Sequence, residues 1–251
     1  MTPLIAGNWK MNTTRASAKE LAQAILRGLP STLDGVDVAL YPPYPCIAPV
    51  AEAVSGSDIR VGAQNFYPES GGAFTGEISP AMLLDLGATE VLIGHSERRH
   101  VLHESDEFIL QKLQFALAED FLATLCVGET LEEREAGQTE EVISRQLRSA
   151  LSGIDSKHAA DVTVAYEPVW AIGTGLTATP EQAGTAHDFI RALLVELWGE
   201  SGKSIRILYG GSVKPQNAAE LMAVPEIGGV LVGGASLDSA SFCAIVRAAG
   251  A

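Results

Sequence analysis

Apolar residues gather into eight short runs, separated by longer stretches in which they recur at helical spacing. The runs are Leu4 to Gly7, Val36 to Leu40, Ile59 to Ala63, Val91 to Gly94, Leu122 to Val127, Val162 to Tyr166, Ile205 to Tyr209 and Val230 to Val232. Short continuous apolar runs of this kind read as strands buried on both faces. Between them, Ala16 to Leu29, Glu107 to Ala118 and Glu181 to Leu197 read as helices. In the last of these, Ala183, Ala186, Ile190, Leu193, Leu194 and Leu197 share one stripe. The order is strand then helix throughout, which predicts parallel strands covered by helices. Eight such units in 251 residues match a closed (β/α)8 barrel, with an open doubly wound sheet as the rival. No Gly/Ser/Pro-rich linker divides the chain, so residues 1–251 are expected to form a single catalytic domain. Gln64 to Ser79 follows neither period, and a loop this long in a compact domain usually has a function.

The composition, 47% hydrophobic and 19% charged, is that of an ordinary globular protein; the sign of the charge is more informative. A formal net charge of −14 without a basic stripe argues against nucleic acid and anionic membranes as partners. An anionic metabolite stays compatible, because exposed charges beyond about 8 Å are largely screened at physiological salt. No apolar run approaches the roughly 20 residues that span a bilayer. The N-terminal segment lacks a basic region and its apolar run breaks at Asn8, so a cleaved signal peptide is not expected. Cys46, Cys126 and Cys243 are odd in number and form no Cys-x-x-Cys pair, which argues against a disulfide frame or a zinc site. The expected compartment is the reducing cytoplasm.

In a (β/α)8 barrel the site forms at the C-terminal ends of the strands, so the residues that follow each run carry the chemistry. The ends here are polar: Asn8-Trp9-Lys10, Gln64-Asn65, His95-Ser96-Glu97, Cys126 to Glu129, Glu167, Gly210-Gly211-Ser212 and Gly233-Gly234. Pro168 cannot continue a ladder, so Glu167 is expected at the strand lip, where a general base belongs. The apolar Val169-Trp170-Ala171-Ile172 followed by Gly173-Thr174-Gly175 suits a lid that buries apolar surface when shut. His95 shares the rim with Glu167, and the pairing favours an acid-base role for both. Lys10, at the end of a buried strand, is expected to have a partner, either a substrate anion or Glu97. The glycine pairs after the last two strands suggest a phosphate site of backbone amides.

Several other patterns read as structural. Gly202-Lys203-Ser204 has Leu197 where a P-loop needs glycine, and it follows a helix rather than a strand. Gly173-x-Gly175 lacks the third glycine of a dinucleotide fingerprint. His100 and His103 sit in a charged, solvated segment, and Glu132-Glu133-Arg134-Glu135 reads as an exposed helix face. Cys126 ends a buried strand with no adjacent base in sequence, so packing is its expected role.

Taken together, Gly7 to Asn12, Gly94 to Arg99, Cys126 to Thr130, Ala165 to Gly175, Tyr209 to Val213 and Leu231 to Leu237 resemble the triosephosphate isomerase family from end to end of the chain. The resemblance implies a TIM barrel that interconverts D-glyceraldehyde 3-phosphate and dihydroxyacetone phosphate in glycolysis and gluconeogenesis, without cofactor or metal. It implies that Glu167 moves the proton between carbons through an enediolate. His95 would polarise the carbonyl as a neutral imidazole, an assignment known for the family. Asn8 and Lys10 would hold substrate and stabilise negative charge, with Glu97 supporting Lys10. Amides at Gly173, Ser212, Gly233 and Gly234 would grip the phosphate. Gln64 to Glu77 resembles the family's dimer loop, which implies a homodimer with Thr75 near the partner's site.

Two departures stand out. Phe66 replaces an expected smaller residue in the dimer loop, and Pro225 to Gly229 replaces the usual acidic approach to the last strand. Two rival functions are a Schiff-base aldolase using Lys10 and a phosphometabolite-binding barrel without catalysis.

Overall fold

A computed structural model describes residues 1–173 and 176–250. Its strands are β1 (Leu4–Asn8), β2 (Asp37–Tyr41), β3 (Ile59–Ala63), β4 (Glu90–Ile93), β5 (Leu122–Val127), β6 (Val162–Tyr166), β7 (Arg206–Tyr209) and β8 (Gly229–Val232). Each pairs in parallel with its neighbour in sequence, and β1 also pairs with β8 through Leu4 and Gly229, closing the barrel. Closure removes both sheet edges and excludes the open doubly wound alternative.

The helices are α1 (Arg15–Gly28), α2 (Ile47–Ala53), α3 (Pro80–Asp85), α4 (Ser96–His100), α5 (Asp106–Ala118), α6 (Leu131–Glu135), α7 (Thr139–Ala150), α8 (Pro180–Trp198), α9 (Pro215–Met222) and α10 (Ser239–Ala248). Their starts follow local chemistry. Thr14 and Ser17 form a capping box on α1, and Thr179 and Gln182 form one on α8, where Pro180 occupies the first turn. The expected stripe on α8 is buried at Ala183, Ala186, Ile190, Leu193 and Leu194 and partly buried at Leu197. Gly202-Lys203-Ser204 lies in the 3-10 turn from α8 to β7, as a connecting turn should.

Most of the core lies between the strands and the helices. A second cluster fills the barrel lumen and includes Leu4, Ala6, Tyr41, Leu92, Cys126 and Leu231, so the barrel is packed rather than hollow. At the floor, Tyr41 donates to Glu90 (2.7 Å), which also pairs with Arg60, while Arg206 pairs with Asp37 (2.8 Å). On the approach to β8, Glu226 accepts from Arg191 at 2.8 Å.

The long loop after β3 has an inner and an outer part. Asn65 and Phe66 are buried, Phe66 against Phe115 with ring centroids 6.3 Å apart, so the large side chain at this position fills the protein's own core. Residues 69–77, including Phe74 and Thr75, are exposed. Among the described residues, no helix is long and apolar enough to cross a membrane.

Candidate active site

Glu167 stands immediately after β6 and is 2% exposed. Its backbone is fixed by the ladder, since its N–H donates to the Val127 carbonyl (2.7 Å). Its carboxylate accepts from the Ser96 N–H (2.8 Å) and hydroxyl (3.3 Å), and it lies 2.8 Å from His95 Nε2. Burial pushes this carboxyl's pKa up, but His95, the Ser96 N–H and Lys10 together outweigh burial and hold it below the usual carboxylate value. The base is therefore ionised and ready to accept a proton.

His95 is buried at the start of α4. The Glu97 N–H donates to Nδ1 (3.3 Å), which engages that lone pair and leaves the ring proton on Nε2, facing Glu167. Burial pushes the imidazole pKa down, and the adjacent Glu167 carboxylate pushes it up and prevails while the two are in contact. An oxygen that displaces Glu167 from Nε2 would relieve that upward push and meet a neutral N–H donor.

Lys10 answers the question of its partner: Nζ pairs with Glu97 at 2.6 Å. Its backbone adopts φ +53°, a left-handed conformation that is strained for a non-glycine residue. Two side chains hold it there. Its N–H donates to Asn8 Oδ1 (3.0 Å), and its carbonyl accepts from Gln64 Nε2 (2.9 Å), which also donates to the Tyr41 carbonyl (2.8 Å). The rim position of Gln64 was legible in the sequence, but its bracing of Lys10 was not.

These groups open on one cavity of about 450 Å³. Asn8, Lys10, His95 and Glu167 contribute the reactive side chains, while Gly173 comes to the same cavity from the loop that carries Glu167, and Ser212, Gly233 and Gly234 from the loops after β7 and β8. Lys214 also lines it and carried no signal in the sequence pattern. Glu97 is absent from this lining and instead faces an adjoining cavity of about 360 Å³, shared with Asn8, Lys10, Gln64 and His95. Thr75 lies on the exposed loop and lines neither cavity. Thr174 and Gly175, the expected end of the lid, fall outside the described residues.

The start of the lid is anchored by Glu129, a residue with no assigned role on sequence grounds. Its fully buried carboxylate accepts from Tyr166 Oη (3.1 Å), Trp170 Nε1 (3.0 Å) and Arg134 (3.1 Å). Arg134 also stacks over the Trp170 ring at 4.5 Å. Cys126 lies in the lumen, and burial and the nearby Glu167 push its thiol pKa well up, so it packs rather than attacks.

Comparison with known proteins agrees with this geometry. Residues 3–249 match the family described as Triosephosphate isomerase. The chain is 54% identical over 245 residues to a triosephosphate isomerase of Moorella thermoacetica, covering 98% of each chain. It is 52% identical over 246 residues to one of Carboxydothermus hydrogenoformans, again covering 98% of each. A crystal structure of triosephosphate isomerase from Bartonella henselae superposes with a TM-score of 0.89 at 40% identity and covers 99% of both chains.

Proposed function

The chain belongs to the triosephosphate isomerase family, and we propose that it performs the family's reaction with Glu167 as base and His95 as electrophile. The reaction interconverts D-glyceraldehyde 3-phosphate and dihydroxyacetone phosphate. The observation that carries the assignment is the placing of an ionised carboxylate and an imidazole N–H 2.8 Å apart on a cavity that also receives Ser212, Gly233 and Gly234.

A substrate oxygen would take the place of Glu167 at His95 Nε2. The freed carboxylate removes the proton from the carbon beside the carbonyl, and the electron pair moves to oxygen as an enediolate. His95 transfers protons between the two oxygens, and Glu167 returns its proton to the neighbouring carbon. Asn8 and Lys10 stabilise the negative charge, with Glu97 orienting Lys10. The amides of Gly173, Ser212, Gly233 and Gly234 hold the phosphate. Closure of the lid over residues 169–173 excludes water and keeps the enediolate from expelling phosphate. No cofactor or metal enters these steps.

The Schiff-base rival asks for a neutral lysine, whereas Lys10 is committed to Glu97. The pure binding rival gives the buried Glu167 no purpose. Exposed Met11, Phe74, Val101 and Leu102 support a homodimer in which residues 64–77 dock on a second copy, a state that sedimentation at low concentration would test. Residues 1–251 act as one catalytic domain, and the three unpaired cysteines suit a cytoplasmic setting.

The deciding experiment is turnover of glyceraldehyde 3-phosphate under excess chelator, beside Glu167→Gln. Rapid wild-type turnover that falls by at least about 10²-fold in the variant supports both reaction and base. A wild type that binds a triose-phosphate analogue and converts nothing would leave only phosphate binding.

A further inference from the structure

The residue that follows β5, Gly128, lacks a strand partner on one side. Val127 and Glu129 turn their carbonyls toward β6, where they accept from the N–H groups of Glu167 (2.7 Å) and Val169 (3.1 Å). Residues along a strand alternate in direction, so Gly128 turns its N–H and C=O the other way, toward β4. There β4 has ended at Ile93, and the chain has left for His95 and α4. The Gln146 side chain, 2% exposed on α7, occupies the gap. Gly128 N–H donates to its Oε1 (2.8 Å), and its Nε2 donates to the Gly128 carbonyl (3.2 Å). A side-chain amide offers the same donor and acceptor as a peptide, so Gln146 continues the sheet where the main chain cannot.

The position of Gly128 matters because the catalytic segment rests on it. A Cβ at this residue would overlap the Glu167 backbone carbonyl, so only glycine fits. The next residue is Glu129, which anchors Tyr166 and Trp170 at the start of the lid. Gln146 itself is absent from the lining of the cavity that holds Glu167 and His95.

We propose that Gln146 is a positioning residue for the isomerisation: its clamp on the Gly128 peptide sets the Glu167 backbone and, through Glu129, the root of the lid. The inference rests on Glu167 being the base. A displacement of about 1 Å at a reacting group costs on the order of 10²-fold in rate, so even part of that movement is measurable.

The test compares wild type, Gln146→Leu and Gln146→Glu by kcat and KM across pH, with thermal unfolding alongside. The leucine variant loses both bonds, and its kcat should drop by about 10- to 100-fold. KM should change by no more than a few-fold, because Gly173 is the one proposed phosphate contact on the lid, whereas Ser212, Gly233 and Gly234 lie on other loops. In the glutamate variant, a protonated carboxyl restores one donor and one acceptor, whereas the ionised form has no donor for the Gly128 carbonyl. Its kcat should approach wild type at low pH and fall toward the leucine variant as pH rises, a titration absent from wild type. Should the leucine variant fail to fold, that profile decides alone. A purely structural role predicts lower melting temperatures with wild-type kcat and pH dependence in the folded variants, and that result would overturn the proposal. An inactive wild type would instead overturn the isomerase reading, so the two failures are distinguishable.

Discussion

Shortening the base by one methylene gives the most direct test of the site geometry. Glu167→Asp withdraws the carboxylate by about 1.5 Å, the length of one C–C bond, while preserving its charge. In the parent structure the carboxylate is held 2.8 Å from the Ser96 N–H and 2.8 Å from His95 Nε2. Proton abstraction needs reacting atoms about 3–3.5 Å apart, and a 1 Å misplacement costs on the order of 10²-fold. A positioned base supplies about 10²–10⁴-fold in all, so the loss in kcat should be about 10²–10³-fold, or about 2.7–4.1 kcal/mol. KM should change by no more than a few-fold, since the phosphate is held by Ser212, Gly233 and Gly234. The Ser96 N–H, left buried without its carboxylate, should lower stability by about 1–3 kcal/mol. Turnover can be followed by proton NMR in D2O, which also reports deuterium entering the substrate carbon. A kcat within threefold of wild type, or a loss confined to KM, would refute the assignment of Glu167 as a distance-critical base.

Further outcomes follow from the surrounding residues. Lys10→Met removes the cation beside the developing oxyanion and should lower kcat/KM by about 10²–10³-fold while urea unfolding stays near wild type; unchanged steady-state kinetics would exclude Lys10 from charge stabilisation. Trp170→Phe deletes the 3.0 Å bond to Glu129, and phosphate-analogue binding together with kcat should weaken several-fold; indifference of both would remove Glu129 as an anchor of the lid. His187 is fully buried on α8, with Nδ1 2.8 Å from the Ala183 carbonyl, and its pKa is pushed down to about 4 by burial against the opposing pull of backbone carbonyls. Below about pH 6.5 the unfolded chain binds a proton that the folded chain refuses, so stability should fall as pH drops from about 6.5 to about 4, by about 3 kcal/mol from this group. His187→Gln should flatten that part of the stability curve, and an identical slope in the variant would count against the burial account.

The sequence alone determined much of this protein. Eight apolar runs with intervening amphipathic segments specify the strand-helix repeat, because burial on both faces or on one stripe is written locally as periodicity. The same locality revealed the rim: Glu167 before Pro168, His95 after Glu90 to Gly94, and the paired glycines after the last two strands all follow from where a strand must stop. Only the tertiary structure decided what these residues touch. Closure through Leu4 and Gly229, the inward turn of Phe66, the choice of Glu97 as partner of Lys10, the strained Lys10 backbone and the Gln146 clamp on Gly128 are contacts between distant segments. Lys10 and Glu97 are 87 positions apart, and Ser96 and Glu167 are 71 apart. Local pattern fixes which face of an element is buried, but the identity of a hydrogen-bond partner depends on how whole elements are brought together in space, and no local period encodes that.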